Sequence, residues 1–148
     1  MITKSSGFSL VELLVVVAII GILSATGMVV YSGYISSAKK STAKSLMAQI
    51  ALAQSEQYAN SGSYFKTDFT PNCQPLNPID QEEQLVAIEI ALFDGDQTIP
   101  RDGNYGYCIA GEDTNNFVVI ASEFSGTNLT GCTFAIGRRG AIEATDDC

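Results

Sequence analysis

A single carboxylate stands inside the most apolar stretch of the chain. A short polar leader with one lysine ends at Gly7, and Glu12 follows that glycine by five residues within an apolar run. An ionised carboxylate in a membrane helix costs on the order of 2.5–3.5 kcal/mol and usually faces a partner rather than lipid. No cation follows until Lys39. Glu12 therefore needs a positive partner from elsewhere, or a position at the lipid headgroups where solvent neutralises it.

The stretch that carries Glu12 is long enough to cross a membrane. Residues 13–38 contain no charged side chain, and about twenty apolar residues at ~1.5 Å each span a bilayer core. A secretory signal peptide would end in a small-residue cleavage site, and none is offered cleanly here, so we expect the helix to be retained. Lys4 precedes the stretch, which favours a cytoplasmic Met1 and an exported remainder.

Residues 4–25 resemble the N-terminus of type IV prepilins, of the type IVa-like kind, and of the related pseudopilins. The resemblance rests on a glycine, an aromatic residue, a glutamate at fixed spacing and a long apolar helix. It implies that prepilin peptidase cuts after Gly7 and that Phe8 becomes N-methylated. A cut after Gly7 would create a cationic amine on Phe8, one helical turn from Glu12 in the same chain. The resemblance also implies that Glu12 meets the Phe8 amine of a neighbouring subunit during filament assembly.

The apolar helix departs from the family pattern at one position. Many type IV pilins carry a proline where this chain has Val29. Gly21 and Gly27 remain, and each glycine lowers helix stability by about 1 kcal/mol relative to alanine. Local unwinding of the helix in a filament is therefore less strongly favoured here than in pilins with that proline.

The four cysteines all lie after the membrane stretch: Cys73, Cys108, Cys132 and Cys148. An even count confined to the exported part predicts two disulfides in an oxidising compartment. A zinc site is disfavoured because the chain has no histidine and no CxxC spacing. The sequence allows three pairings, and the resemblance to pilins with a C-terminal disulfide loop implies Cys132–Cys148, which leaves Cys73–Cys108.

Composition limits the functions that the chain can have. The 148 residues leave about 115 for one small exported domain after leader and membrane helix. The net charge of −8 disfavours nucleic acid as a partner unless the few cations cluster. Without histidine there is no Ser-His-Asp triad, and no phosphate-binding GxxxxGK[ST] loop occurs, so we expect no enzyme and no cofactor.

Helical periodicity continues beyond the membrane stretch. Between Ser36 and Asn60, one face repeats at three- and four-residue spacing, with Ala43, Leu46, Met47, Ile50, Ala53, Gln57 and Tyr58. Asn60-Ser61-Gly62 is a helix stop. A second amphipathic helix is expected after a capping-box-like start at Asp80 with Glu83 three residues on, and it ends at Asp94-Gly95.

The last third of the chain has the period of strands. Four are predicted, at 105–110, 117–124, 133–136 and 141–144, and their short connections make them antiparallel neighbours. The order predicts an α+β fold in which a long N-terminal helix, membrane-spanning and then amphipathic, packs on an antiparallel sheet. The predicted regions are the leader 1–7, the membrane and filament-core helix 8–31, its amphipathic continuation 32–60, a connection with a short helix 61–104, and the sheet with the disulfide-bounded C-terminal region 105–148.

The remaining charged groups have ordinary interpretations. Lys39, Lys40 and Lys44 lie just beyond the membrane stretch, where headgroup or filament contacts are expected. Arg138 and Arg139 sit at a hairpin tip, where solubility and turn chemistry account for them. A loop with Asp94, Asp96 and Asp102 has oxygen ligands for calcium, but the EF-hand spacing is absent, so a solvated acidic loop is favoured and no metal site is predicted.

The resemblance implies a structural subunit of a type IV pilus. The chain would be stored in the bacterial inner membrane with its C-terminus outside, then polymerise with copies of itself into an extracellular filament that supports adhesion, motility or DNA uptake. Its partners would be prepilin peptidase, the pilus assembly machinery, lipid before assembly, and other copies. The alternatives are a pseudopilin of a type II secretion system, a DNA-binding minor pilin of competence, and an ordinary anchored periplasmic domain. The last would leave Glu12 and the leader unexplained.

Overall fold

The computed structural model describes residues 7–68, 73–76, 81–101, 104–145 and 148, with the side chains of 28–30 excepted. Within these residues the chain forms two helices and one antiparallel sheet. The elements are α1 (Leu10–Ser61), α2 (Glu82–Leu92), β1 (Tyr105–Ala110), β2 (Val118–Ser125), β3 (Asn128–Gly137) and β4 (Ile142–Ala144). The predicted α+β layout, with a long N-terminal helix packed on a four-stranded antiparallel sheet, is confirmed.

The first part of α1 belongs to a compact unit of its own, which ends at Ala38. Its described side chains are exposed almost throughout. In the described part of the chain, α1 is the one helix long and apolar enough to cross a membrane. The backbone stays helical through Val29, where many pilins carry proline, and through Gly21 and Gly27.

The second part of α1 lies in the second unit, Lys39–Cys148, which we call the head. One stripe of α1 is buried in the main core, with Ala43, Leu46, Met47 and Ile50 each at most 4 % exposed. The periodicity predicted these four residues, whereas Tyr58, which it placed on the same face, is 37 % exposed. The helix ends where expected, because Gly62 takes φ +75° and its N–H donates to the Tyr58 carbonyl at 2.8 Å.

The sheet follows chain order, β1-β2-β3-β4, with every neighbouring pair antiparallel. Side chains alternate, so that Val119, Ala121, Phe134 and Ile136 are buried in the core that contains α1. β1 has the predicted bounds and is buried along its whole length. β2 lies one residue later than predicted, β4 begins one residue later, and β3 is longer, starting at Asn128.

The outer edge of β1 is covered by the segment after α1. The Thr67 N–H donates to the Ile109 carbonyl at 2.9 Å, and the Ile109 N–H donates to Thr67 Oγ1 at 2.9 Å. Gln54, which is fully buried on α1, holds Phe65 from both sides: its Nε2 donates to the carbonyl at 2.6 Å and its Oε1 accepts from the N–H at 2.9 Å. A buried amide is tolerated here because both its polar ends are bonded.

The start of α2 differs from the prediction. Its N-cap residue is Gln81, which makes no side-chain capping bond, whereas the expected cap, Asp80, lies outside the described residues. Leu85, Ile88 and Glu89 form its buried face. The helix ends at the predicted Asp94-Gly95 turn, where both residues have positive φ and the Gly95 N–H donates to the Glu89 carbonyl at 3.0 Å.

Candidate processing and assembly site

The peptide junction before α1 is open on all sides. Gly7 is exposed and precedes the helix, and a Cβ added there would meet no atom within 4 Å. Packing within the described residues therefore does not explain this glycine.

Phe8 and Glu12 flank the start of the helix. The Phe8 side chain is 77 % exposed, and the Leu13 N–H donates to the Ser9 carbonyl at 3.2 Å as the first turn closes. Glu12 lies in this first turn, where the free N–H groups of a helix favour a negative charge. The carboxylate is exposed, and no cation among the described residues lies within ion-pair distance of it. The predicted pairing of Glu12 with the Phe8 amine of a neighbouring subunit involves a second, processed chain and stays a prediction.

The four cysteines form two disulfides, Cys73–Cys108 and Cys132–Cys148, with Cα–Cα distances of 6.2 and 4.6 Å. This pairing is the one that the resemblance implies. The two bridges differ in exposure: Cys73, Cys108 and Cys132 are buried, whereas Cys148 is exposed. The first bridge fastens the loop after α1 to β1, and the second fastens the C-terminal segment to β3.

The three lysines near the start of the head have intramolecular partners. Lys39 Nζ donates to Asn104 Oδ1 and Lys40 Nζ donates to the Cys148 carbonyl, both at 2.9 Å. Lys44 Nζ lies 4.6 Å from the centroid of the Phe134 ring, a cation–π contact. The expectation of headgroup or filament contacts for these lysines is therefore incomplete, because each binds the head itself.

A buried ion pair in the head was not predicted. Glu89, 2 % exposed on the inner face of α2, accepts two hydrogen bonds of 2.7 Å from Arg101 and one of 2.8 Å from the Ile99 N–H. Arg101 also pairs with Glu82 at 3.0 Å. The Arg101 guanidinium, with the Ile99 N–H, lowers the pKa of Glu89 against the opposing effect of burial, and Glu89 raises the pKa of Arg101. The sequence contained one signal for this ion pair, because Glu89 is an acidic residue on the apolar face of α2.

The acidic loop does not form a cluster in the described structure. Among described residues, no three potential ligands of the His, Cys, Asp and Glu types come together as a metal site would require. Asp94 and Asp96 lie in the turn after α2, and Asp102 lies outside the described residues.

Residues 2–28 match the family model of the prokaryotic N-terminal methylation motif. The match contains Gly7, Phe8, Glu12 and the apolar part of α1. No curated protein and no solved structure matches the chain significantly.

The N-terminus thus carries the motif of precursors whose leader is removed and whose new first residue is methylated. This motif is the hallmark of type IV pilin and pseudopilin precursors, a structural rather than enzymatic class, and the α+β head has the layout of a type IV pilin. The motif implies processing by prepilin peptidase and filament assembly in general. Together with the apolar helix, it fits anchoring in the inner membrane before assembly.

Proposed function

We propose that this chain is the structural subunit of a type IV pilus. Prepilin peptidase cuts after Gly7, Phe8 is methylated, and the exposed part of α1 packs with copies of itself in the filament core. The observation that carries the proposal is the long apolar helix that the chain leaves uncovered, with Glu12 as the one charge between Gly7 and Lys39.

The energetics of that helix support two successive environments. Leu10, Leu14, Ile20 and Leu23 are each more than half exposed, and exposed apolar surface is stabilised by about 25 cal/mol per Å² when it leaves water. Lipid supplies this cover before assembly, and the helices of other subunits supply it afterwards. Glu12 is unfavourable in lipid but favourable beside a new Phe8 amine, so the carboxylate biases the chain toward the filament.

Two features favour a pilus subunit over the alternatives. The two disulfides stabilise a head that is displayed in an oxidising exterior, which favours a pilus subunit over a secretion pseudopilin. A DNA-binding minor pilin needs a basic stripe. In the part of the chain that the structure describes, five cations are already engaged: Lys39, Lys40, Lys44, Lys66 and Arg101.

Replacement of Glu12 tests assembly. If Glu12 pairs with an adjacent Phe8 amine in an apolar core, Glu12→Ala strands that amine, and stranding one partner of a buried pair costs about 3–5 kcal/mol. We expect few or no surface filaments, an undiminished membrane pool and a folded head with both disulfides. Glu12→Gln should give an intermediate yield because it keeps an acceptor and loses the charge.

The matched control is Glu112→Ala, which removes an exposed carboxylate from the head and should leave filament yield unchanged. The measurement is the ratio of sheared surface filament to total membrane pool at equal expression. Wild-type yield from Glu12→Ala would contradict the proposal.

The mass of the mature subunit tests processing. We expect a chain that begins at methylated Phe8, because Gly7 is accessible and no intramolecular contact requires it. Gly7→Ala should still be cut in part, whereas a bulky residue should block cutting. A mature chain that keeps Met1, or that begins near Ala25, would exclude this processing.

A further inference from the structure

A cleft of about 680 Å³ opens between the loop that joins β1 to β2 and the hairpin that joins β3 to β4. We call it the hairpin cleft; its lining includes Asp113, residues 115–118 and 137–139, with Ala135, Ala141 and Glu143. It lies at the end of the head where α1 terminates, because the Tyr58 hydroxyl is 3.4 Å from Asn115 Oδ1.

The floor of the hairpin cleft is the face of the sheet opposite the core. Val118 pairs with Gly137, and Ala135 pairs with Ile120 and Glu143, so these positions share one face. Ala135 has a short side chain and Gly137 has none. The depression exists because the outer face of the sheet carries little side-chain volume at this end.

One wall of the cleft is fixed in place. The buried Lys66 donates from Nζ to the Asp113 carbonyl, the Asn115 N–H donates to Asp113 Oδ1 at 2.9 Å, and the Phe117 N–H donates to Asn116 Oδ1 at 3.0 Å. Gly111 permits this arrangement: a Cβ there would stand 2.6 Å from the Asn116 carbonyl oxygen and 2.7 Å from Lys66 Cε. A wall held by these contacts is preorganised for a ligand.

The opposite wall carries two guanidinium groups. Arg138 uses one donor, Nη1, on the Asn115 carbonyl at 3.2 Å, which ties the two walls together. Arg139 is exposed and has no hydrogen-bond or ion-pair partner within the described ranges. The other described cations have partners elsewhere in the head. The guanidinium donors of Arg138 and Arg139 that have no described partner therefore line this cleft of an otherwise acidic chain.

The same cleft also has acceptors. Asp113 and Glu143 contribute carboxylates and Asn115 and Asn116 contribute amides. Two carboxylates beside two arginines disfavour a polyanion such as nucleic acid, because like charges repel. They suit a ligand with one negative charge for the arginine fork and several hydroxyls for the acceptors.

We propose that the hairpin cleft binds an acidic saccharide. The sugar carboxylate accepts hydrogen bonds from Arg138 and Arg139, and its hydroxyls donate to Asp113 and Glu143. The site lies wholly within residues 113–143, so it goes beyond the filament function and does not depend on it.

Calorimetry of the purified full-length chain, in a detergent without a sugar headgroup, tests the site. The probes are trigalacturonate and sialyllactose, each compared with its methyl ester, which keeps the hydroxyls and removes the charge. We expect the wild-type protein to bind at least one acid probe. It should bind the methyl ester of that probe at least about tenfold more weakly, and Arg139→Gln should bind the acid itself at least about tenfold more weakly, because each change removes a charged hydrogen bond. Lys40→Gln removes the same charge at the other end of the head and should bind as the wild type does.

Glu143→Gln separates a saccharide site from a bare anion site. Loss of a hydroxyl acceptor weakens saccharide binding, whereas removal of a repelling charge would strengthen the binding of a simple anion. Tighter binding by Glu143→Gln, equal binding of acid and ester, equal losses in Arg139→Gln and Lys40→Gln, or binding of neither probe would each overturn the proposal. Arg139 has no described intramolecular partner, so its replacement leaves the head folded, as near-ultraviolet dichroism will verify.

Discussion

The two halves of α1 place the same residue type in opposite environments. Ile20 is 56 % exposed, and Ile50, on the same continuous helix, is fully buried in the core of the head. The first half is apolar on every side, whereas the second half is apolar along one stripe. The difference shows that the two halves of one helix bury their apolar side chains in different ways. The first half needs lipid or other subunits to remove its side chains from water, whereas the second half packs against its own chain.

Matched isoleucine substitutions test this difference most strongly. Ile50→Ala should lower the free energy of unfolding of the head by about 4 kcal/mol, since a buried methyl-rich side chain is lost and a cavity remains. Ile20→Ala should leave that free energy unchanged, because Ile20 lies in the first unit and is more than half exposed. Denaturant unfolding of the full-length protein in detergent, followed by near-ultraviolet dichroism, compares the two. Equal losses would mean that the first half of α1 also stabilises the head.

The ion pair of α2 should make the stability of the head sensitive to acid. The pKa of Glu89 is lowered, chiefly by its hydrogen bonds from Arg101. Its stabilisation is therefore present above the pKa of an unfolded-chain glutamate, about 4.3, and is lost as the pH falls from there through the lower pKa of the folded state.

Glu89→Gln should lower the free energy of unfolding by about 2 kcal/mol at neutral pH, because Arg101 loses its charged hydrogen bonds to Glu89 and keeps those to Glu82 and to the Ile99 carbonyl. It should also flatten the dependence of that free energy on pH below about pH 4.3. Glu83→Gln, at an exposed position of the same helix, is the control. If the free energy of unfolding of Glu89→Gln fell with acid as steeply as that of the wild type, other carboxylates would be responsible for the acid sensitivity.

The two disulfides should open in order of exposure. Mild reductant should reduce Cys132–Cys148 first, because Cys148 is exposed and both members of the Cys73–Cys108 pair are buried. Reduction of Cys132–Cys148 should lower the free energy of unfolding of the head by at most about 3 kcal/mol in the chain-entropy model. Membrane insertion of α1 should be unaffected. Non-reducing peptide mapping during a reductant titration follows both bridges. A Cys73–Cys132 or Cys73–Cys148 peptide from untreated protein would refute the pairing.

Features governed by local pattern could be predicted from the sequence. The three- and four-residue spacing gave the buried stripe Ala43 to Ile50, the Asn60-Ser61-Gly62 signal gave the end of α1, and alternation with flanking turns gave β1. The first residues of β3 were missed because positions 128–131 are exposed, so their pairing with β2 leaves no apolar alternation to detect.

Features that depend on tertiary contacts could not be predicted from the local sequence pattern. The partner of Glu89 lies twelve residues away across a loop, and nothing local specifies that the Arg101 side chain returns to α2. The start of α2 was missed because its N-cap residue, Gln81, makes no side-chain capping bond, so no capping signal marks that position. The hairpin cleft requires the register that sets Val118 opposite Gly137, which no single segment contains.

The disulfides also determine how far a head can lengthen under mechanical load. The Cys73–Cys108 bridge encloses a sequence separation of 35 and the Cys132–Cys148 bridge one of 16. At roughly 3.4 Å per extended residue, these loops withhold roughly 120 Å and 55 Å of contour length. A head pulled from both ends in an oxidising medium would therefore extend to its full contour length less the length of these two loops. Reduction of either disulfide would increase the extension by the contour length of the loop that it closes.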